Sequence, residues 1–114
     1  MNFNNFTIKS QEAVQKAVQI TRDHGQQSIE PVHLLKGVLD VGESLVNYVF
    51  QKLGVNDNML VTQVDREIDS LPKVSGGEPY LSREANEVLQ KAIDYSTKMG
   101  DQFVALESLL MAIF

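Results

Sequence analysis

A gapless internal repeat is the strongest constraint that this sequence places on its fold. When the chain is shifted by 75 positions, residues 6–39 align with residues 81–114, and eight of the 34 aligned positions carry the same residue. The identical pairs are Glu12 and Glu87, residues 15–17 and 90–92, Gly25 and Gly100, Gln27 and Gln102, and residues 34–35 and 109–110. Self-similarity at a fixed spacing is typical of folds built from copies of one unit. The sequence therefore predicts two copies of the same structural unit.

Each copy opens with two predicted helices. Thr7 and Ser82 are good N-cap residues, and apolar side chains follow each of them at the three- and four-residue spacing of an amphipathic helix. Gly25 and Gly100 come just after these patterns, where a residue that accepts a positive φ angle readily ends a helix. A second, shorter apolar pattern follows in both copies. In the first copy it begins at Pro31, a residue favoured in the first helical turn.

Two more helical patterns lie between the copies. Residues 45–53 and residues 60–71 both carry apolar side chains at helical spacing. Gly54 ends the first of these patterns, and Asn56 or Asp57 is suited to cap the second. The first copy is therefore predicted to contain four helices.

Residues 72–80 form the predicted linker, because they combine two prolines with a pair of glycines and cannot continue a helix. No segment alternates polar and β-branched residues in the manner of a strand. The sequence predicts one all-α domain over residues 1–114, with repeat one at 6–71 and a partial repeat two at 81–114 that is truncated after two helices. Since the apolar residues 109–114 would need cover from a further helix pair, we expect the chain to be the N-terminal part of a longer protein.

Composition excludes several classes of function. Fifteen acidic side chains against ten basic ones give a net charge of −5, which disfavours binding to a nucleic-acid backbone. The absence of cysteine excludes disulfides, thiolate metal ligands and thiol nucleophiles. No run approaches the ~18 consecutive apolar residues of a membrane helix, and the N-terminus lacks the pattern of a signal peptide. We therefore expect a cytoplasmic protein that binds neither nucleic acid nor membranes.

Four short motifs resemble the Clp N-terminal domain family, and the match extends over the whole chain. They are Phe-Thr at residues 6–7, Ile-Glu-Pro-Val-His-Leu-Leu at residues 29–35, Gly-Asp-Gln-Phe-Val at residues 100–104 and Glu-Ser-Leu-Leu at residues 107–110. The resemblance implies a pseudo-twofold tandem repeat of four-helix Clp N units, placed ahead of the ATPase rings of hexameric protein-remodelling chaperones and unfoldases. Within the family, the second motif, the Leu71-Pro72 pair and the Gly-Asp-x-Phe pattern are most similar to the ClpB branch of disaggregases.

The resemblance implies a function in substrate recognition. A domain of the ClpB branch would bind exposed apolar segments of unfolded or aggregated polypeptides and hand them to an attached AAA+ ring. The alternative is an adaptor- or substrate-docking domain of a ClpC- or ClpA-type unfoldase of the Clp protease. The domain itself would be no enzyme, and it contains no G-x-x-x-x-G-K-[ST] phosphate-binding motif. It would need no cofactor, because ATP and Mg²⁺ belong to downstream modules of the parent, and on its own it is expected to be monomeric.

Three polar residues correspond to positions that the ClpB branch uses near its substrate-binding face: Thr7, Asp101 and Glu107. Each also has a purely structural interpretation. Thr7 is a natural N-cap, Glu107 is a favourable anion in a first helical turn, and Asp101 suits a turn. The sequence leaves both interpretations open for all three residues.

Three apolar residues are further candidates for substrate binding: Tyr95, Phe103 and Val104. Tyr95 lies about 200° round its helix from a core position two residues earlier, which favours a surface role. Phe103 and Val104 occupy a helix junction, where most apolar residues are buried, so a core position is the favoured interpretation for both. The groove of the family also uses the positions of Lys91 and Ser108, which are polar here.

Other functions have weaker support. Phosphoarginine recognition in the ClpC branch uses a glutamate from each repeat, and this chain has Glu107 at one position but Val32 at the other. His24 and His33 are too few and too far apart in sequence to indicate a metal site. A hydrolase that uses His33 with Glu30 or Glu107 lacks a nucleophile at a sensible spacing.

Overall fold

The computed structural model describes residues 3–74 and 76–114 and confirms the all-α fold class. Over these residues six helices and two very short strands follow one another as α1 (Ile8–Asp23), β1 (Ser28–Ile29), α2 (Pro31–Val41), α3 (Glu43–Leu53), α4 (Asp57–Ser70), β2 (Tyr80–Leu81), α5 (Arg83–Lys98) and α6 (Leu106–Ile113). Tyr80, the last residue of the predicted linker, is also the first residue of β2. Ser75 of that linker, and Met1 and Asn2 of the predicted domain, lie outside the described residues.

The repeat is present in the structure down to single hydrogen bonds. α1 and α5 each contain 16 residues and begin 75 positions apart. The Thr7 hydroxyl accepts a bond from the N–H of Ser10 at 3.2 Å, and the Ser82 hydroxyl accepts one from the N–H of Ala85 at 3.0 Å. Both helices are followed by a glycine in the left-handed region, with φ of 67° at the first and 74° at the second. The sequence signals for the start and the end of these helices are therefore confirmed.

The two repeats are joined by short parallel pairings that the sequence did not predict. In β1 and β2, Ser28 pairs with Tyr80 and Ile29 pairs with Leu81. A single bridge between Phe6 and Val104 repeats this arrangement, because the 75-residue shift relates Phe6 to Leu81 and Ile29 to Val104. Strands of two residues are too short to show alternation. Each repeat thus pairs the segment before its first helix with the segment before the second helix of the other repeat.

α1 and α2 pack at very close range. Gly37 lies against the backbone of α1, where a Cβ atom would overlap the carbonyl oxygen of Ala13. Small residues at a helix contact allow the two axes to approach. The surrounding core is apolar and draws on both repeats; its fully buried members include Ala17, Leu34, Val38, Leu89, Ala92 and Leu109. The first helix pair of repeat one is therefore held by shape complementarity that leaves no room for a methyl group.

A buried polar chain ties the start of α2 to the end of α4. His33 is fully buried; its Nδ1 atom accepts a hydrogen bond from the N–H of Glu30 at 2.8 Å, so its proton lies on Nε2. Nε2 donates to the side-chain oxygen of Gln26 at 2.7 Å, and the Gln26 amide nitrogen donates to the carbonyl oxygen of Ile68 at 2.6 Å. Burial lowers the pKa of His33 to about 4, against an opposing effect of the Glu30 charge. The imidazole is therefore a neutral structural group at ordinary pH.

Candidate functional site

A cleft forms where the start of α1 meets the start of α6 and the junction of α2 with α3. This inter-repeat cleft has a volume of about 460 Å³. It is lined by Thr7, Lys9, residues 41–45 and residues 105–107. Two residues that the sequence analysis singled out, Thr7 and Glu107, come from different repeats and meet in this cleft.

Thr7 caps α1 and also lines the inter-repeat cleft. Its hydroxyl accepts the capping hydrogen bond from the N–H of Ser10 and donates to the hydroxyl of Ser10 at 2.9 Å. The side chain is half-buried and lines the cleft. The structural interpretation of Thr7 as an N-cap is correct, and the capping role leaves the residue at the cleft wall.

Two helices begin at the cleft without a side-chain cap. The N-cap residues are Gly42 for α3 and Ala105 for α6, and neither provides a capping hydrogen bond from a side chain. The first turns carry Glu43 and Glu107, which are exposed and complement the positive end of each helix dipole. Backbone N–H groups of an uncapped first turn need partners from water or a ligand. The cleft therefore offers both main-chain donors and carboxylates to a bound molecule.

Gly42 allows α6 to approach this junction. It is buried, and a Cβ atom on it would overlap the side chain of Leu106. The sequence analysis did not select Gly42 or Glu43. The signal that could have found them is a single glycine followed by an acidic residue between two apolar helical patterns, which indicates a tight helix junction with a charged first turn.

Phe103 and Val104 have opposite environments, although they are adjacent in sequence. Val104 is 3% exposed, and its main chain pairs with Asn5 and Thr7, which agrees with the core interpretation and leaves its side chain unable to reach a ligand. Phe103 is 46% exposed, so the core interpretation is wrong for this residue. Phe103 lies in a bend, whereas Val104 is drawn into the inter-repeat bridge with Phe6. Phe103 is thus accessible to a ligand and Val104 is not, while a binding role for either residue stays a prediction.

Asp101 is exposed in the turn that follows α5. Its N–H donates to the carbonyl oxygen of Ser96 at 2.9 Å and completes the helix end, while its carboxylate faces solvent. Neither Asp101 nor Phe103 lines the inter-repeat cleft. Both belong to the exposed segment that precedes Val104 and the cleft residue Ala105 in sequence.

Tyr95 lies in a second concavity, the apolar groove, which has a volume of about 700 Å³. The groove is lined by Leu45, Val49, Phe50, Leu53, Val55, Leu60, Tyr95, Glu107, Leu110, Met111 and Phe114. Leu45 and Glu107 also line the inter-repeat cleft, so the two concavities adjoin. Tyr95 is half-buried, and the Nζ atom of Lys91 lies 5.7 Å from the centre of its ring. The off-stripe position predicted for Tyr95 agrees with this placement.

Ser108 does not present its hydroxyl to either concavity. It is almost fully buried, and among the described residues its Oγ atom has no hydrogen-bond partner. Its counterpart in repeat one is His33, whose two ring nitrogens are both engaged. His33 therefore cannot act as the general base of the hydrolase considered above.

Comparisons with known proteins identify the family of this chain. The family model of the Clp repeat (R) N-terminal domain matches residues 5–114. The chain belongs to this family. As a Clp N-terminal domain, it is most similar to those of ClpB chaperones: it is 65% identical to the chaperone protein ClpB of Bacteroides thetaiotaomicron and 58% identical to that of Porphyromonas gingivalis, in each case over 99% of this chain. The chain spans 13% of the length of either relative.

Solved Clp N-terminal domains have the same fold at low sequence identity. The N-terminal domain of Hsp104 from Candida albicans matches with a TM-score of 0.86 and 19% identity, over 96% of this chain and 73% of that one. The N-terminal domain of the ClpV1 ATPase from E. coli matches with a TM-score of 0.88 and 18% identity, over 97% of this chain and 68% of that one. The fold is therefore retained at 18–19% sequence identity.

The described residues of this Clp N-terminal domain contain neither a metal-binding cluster nor a membrane-spanning helix. Within residues 3–74 and 76–114, no three His, Asp or Glu side chains are grouped so as to hold a metal ion. No helix among the described residues has the length and apolar character needed to cross a membrane.

Proposed function

We propose that this domain is the substrate-recognition module of a ClpB-like, ATP-dependent disaggregase. It binds exposed apolar segments of unfolded or aggregated polypeptides and passes them to the attached AAA+ ring, which is hexameric in the family. The domain acts by binding alone and uses no cofactor, whereas ATP and Mg²⁺ act in the ring. The observation that carries this proposal is that Thr7 and Glu107, one from each repeat, line a single cleft.

The cleft has the groups that an extended polypeptide requires. Backbone N–H groups in the first turns of α3 and α6 can donate to main-chain carbonyl oxygens of the substrate, and the Glu107 carboxylate can accept from its amides. The exposed ring of Phe103 is available for apolar contact with a bound segment, although it does not line the cleft. Because such contacts are weak, the bound polypeptide can dissociate from the cleft, which its transfer to the AAA+ ring requires.

An NMR titration of the domain with a reduced, carboxymethylated protein tests this proposal, because such a polypeptide cannot fold. Shifts are expected for Thr7, Asp101, Phe103 and Glu107, and Glu107→Gln is expected to weaken binding several-fold by removing one charge-assisted contact. Glu67→Gln is a matched control, since Glu67 is an exposed acid of α4 outside the cleft. Equal affinities of the two variants would contradict the role of Glu107. An absence of shifts with the unfolded chain would favour the alternative, docking of a folded adaptor as in ClpC- or ClpA-type unfoldases.

A further inference from the structure

The backbone of Val104 is hydrogen-bonded to repeat one on both sides of its Cα atom. Its N–H donates to the carbonyl oxygen of Asn5 at 2.7 Å, and its carbonyl oxygen accepts from the N–H of Thr7 at 3.0 Å. Each of these groups belongs to a planar trans peptide, in which the N–H and the C=O point in opposite directions. The carbonyl oxygen of Phe103 and the N–H of Ala105 therefore point away from repeat one.

These two outward groups form an open backbone edge at residues 103–105. Over residues 3–74 and 76–114, neither the carbonyl oxygen of Phe103 nor the N–H of Ala105 has a hydrogen-bond partner. Phe103 is exposed, and Ala105 lines the inter-repeat cleft. An acceptor and a donor thus flank Val104 on its outer side, which is how the edge of a sheet offers itself to a further strand. A strand laid along this edge would continue the pairing that already joins the repeats.

Repeat one has the equivalent donor but occupies it internally. The 75-residue shift relates Ala105 to Glu30 and Ser108 to His33. The N–H of Glu30 donates to Nδ1 of His33 at 2.8 Å. Ser108 has a much shorter side chain, and its Oγ atom has no partner among the described residues, so it leaves the N–H of Ala105 unbonded. The replacement of histidine by serine therefore opens in repeat two a main-chain donor that repeat one closes.

We infer that the open edge at residues 103–105 receives the substrate as an added β-strand, an inference that rests on the proposed function. The occupant is an extended segment of an unfolded polypeptide, whose main chain donates to the carbonyl oxygen of Phe103 and accepts from the N–H of Ala105. The exposed ring of Phe103 is available to an apolar side chain of the same segment. Because the hydrogen bonds use only main-chain groups, recognition tolerates many sequences. It excludes segments whose main chain is already bonded in a helix or a sheet.

Amide hydrogen exchange of the full 114-residue chain, followed by NMR, tests the inference with a reduced, carboxymethylated protein as the probe. The N–H of Ala105 is expected to exchange at least ~10-fold more slowly when the probe is bound at saturation, because it is then hydrogen-bonded. The N–H of Glu30 is the internal control, since it is already bonded within repeat one and should not change.

The same spectra separate this inference from the proposed function. Unchanged exchange at Ala105, together with probe-induced shifts at Thr7 and Glu107, would overturn strand addition and leave the proposed function standing. An absence of shifts at all of these residues would contradict the proposed function, and strand addition with it.

A pair of variants at Ala105 tests the donor itself. Ala105→Pro removes the N–H, and the φ angle of −84° at this position is close to the value that proline requires. Ala105→Val keeps the N–H and adds similar bulk, so it is the matched control. Ala105→Pro is expected to bind the probe about five-fold more weakly than Ala105→Val, the effect of one net hydrogen bond. Equal affinities would overturn the inference. The exchange measurement uses the unaltered chain, so it decides the question if Ala105→Pro does not fold.

Discussion

The Nε2 atom of His33 donates a hydrogen bond to the side-chain oxygen of Gln26 at 2.7 Å, which links the start of α2 to the end of α4 through a buried imidazole. A second hydrogen bond at the same ring requires the neutral form, because Nδ1 accepts from the N–H of Glu30. Protonation would turn this acceptor into a donor that faces another donor. The link is therefore sensitive to acid.

Stability is expected to fall as the pH drops from the unfolded-state pKa of His33, near 6.5, toward its folded-state pKa of about 4. In this window His33 is protonated in the unfolded chain but stays neutral in the folded chain. The free energy of unfolding therefore decreases by up to about 1.4 kcal/mol for each unit by which the pH falls. The contribution is fully present above the window. Urea unfolding at a series of pH values, compared between the wild type and His33→Gln, measures it. A slope in the window that is unchanged in the variant would contradict the assignment to His33.

Removal of the N-cap hydroxyl of α1 or of α5 should lower the free energy of unfolding by a similar amount. Thr7→Ala and Ser82→Ala each delete the hydroxyl that accepts from a first-turn N–H, and each is expected to lower the free energy of unfolding by about 1 kcal/mol. Thr7→Ser keeps the hydroxyl and should stay close to wild type. Urea unfolding followed by circular dichroism measures all three variants. A loss in Thr7→Ser as large as that in Thr7→Ala would show that the methyl group, and not the cap, matters.

Gly37→Ala should destabilise the domain by about 2 kcal/mol, because the added methyl overlaps the carbonyl oxygen of Ala13 and forces α1 and α2 apart. Gly25→Ala serves as a comparison, because it is expected to destabilise the domain for a different reason. Its surroundings are open, and only its positive φ angle is unfavourable, so about 1 kcal/mol is expected. Thermal unfolding of both variants tests the order. A Gly37→Ala protein as stable as wild type would mean that the helix contact can relax.

Phe103→Ala and Val104→Ala should separate binding from stability. Phe103→Ala is expected to change the free energy of unfolding by no more than about 0.5 kcal/mol while weakening the binding of an unfolded polypeptide. Val104→Ala should cost about 2 kcal/mol, because the residue is buried beside Phe6. Unfolding curves and the titration described above give the two quantities. A stability loss in Phe103→Ala as large as that in Val104→Ala would place Phe103 in the core after all.

The helices were accessible from the sequence because their signals are local. Capping hydroxyls at Thr7 and Ser82, glycines after α1 and α5, and apolar spacing of three and four residues fix where each helix starts and ends. Asn56, one of the two residues considered as the cap of α4, accepts the hydrogen bond from the N–H of Met59. The same local logic could not find β1 and β2, since two residues carry no periodicity and their pairing depends on the other repeat.

The candidate site depends on contacts between repeats, and it was accessible only in part. The family resemblance implied that Thr7 and Glu107 lie near one face, but it did not indicate that Gly42 and Glu43 line the same cleft. The opposite exposure of Phe103 and Val104 follows from the pairing of Val104 with the segment before α1, which no sequence pattern indicates. Periodicity in the sequence cannot predict the environment of residues whose position depends on backbone pairing with a segment far away in sequence.

The reciprocal pairings have a consequence for how the domain comes apart. The N–H of Thr7 bonds to the carbonyl oxygen of Val104, and the N–H of Ser82 bonds to that of Ile29, both at 3.0 Å. Neither repeat can leave without breaking both connections, so the two should melt in a single cooperative transition, unlike independent modules strung on a linker. A pulling force applied to either repeat is thus transmitted to the whole domain.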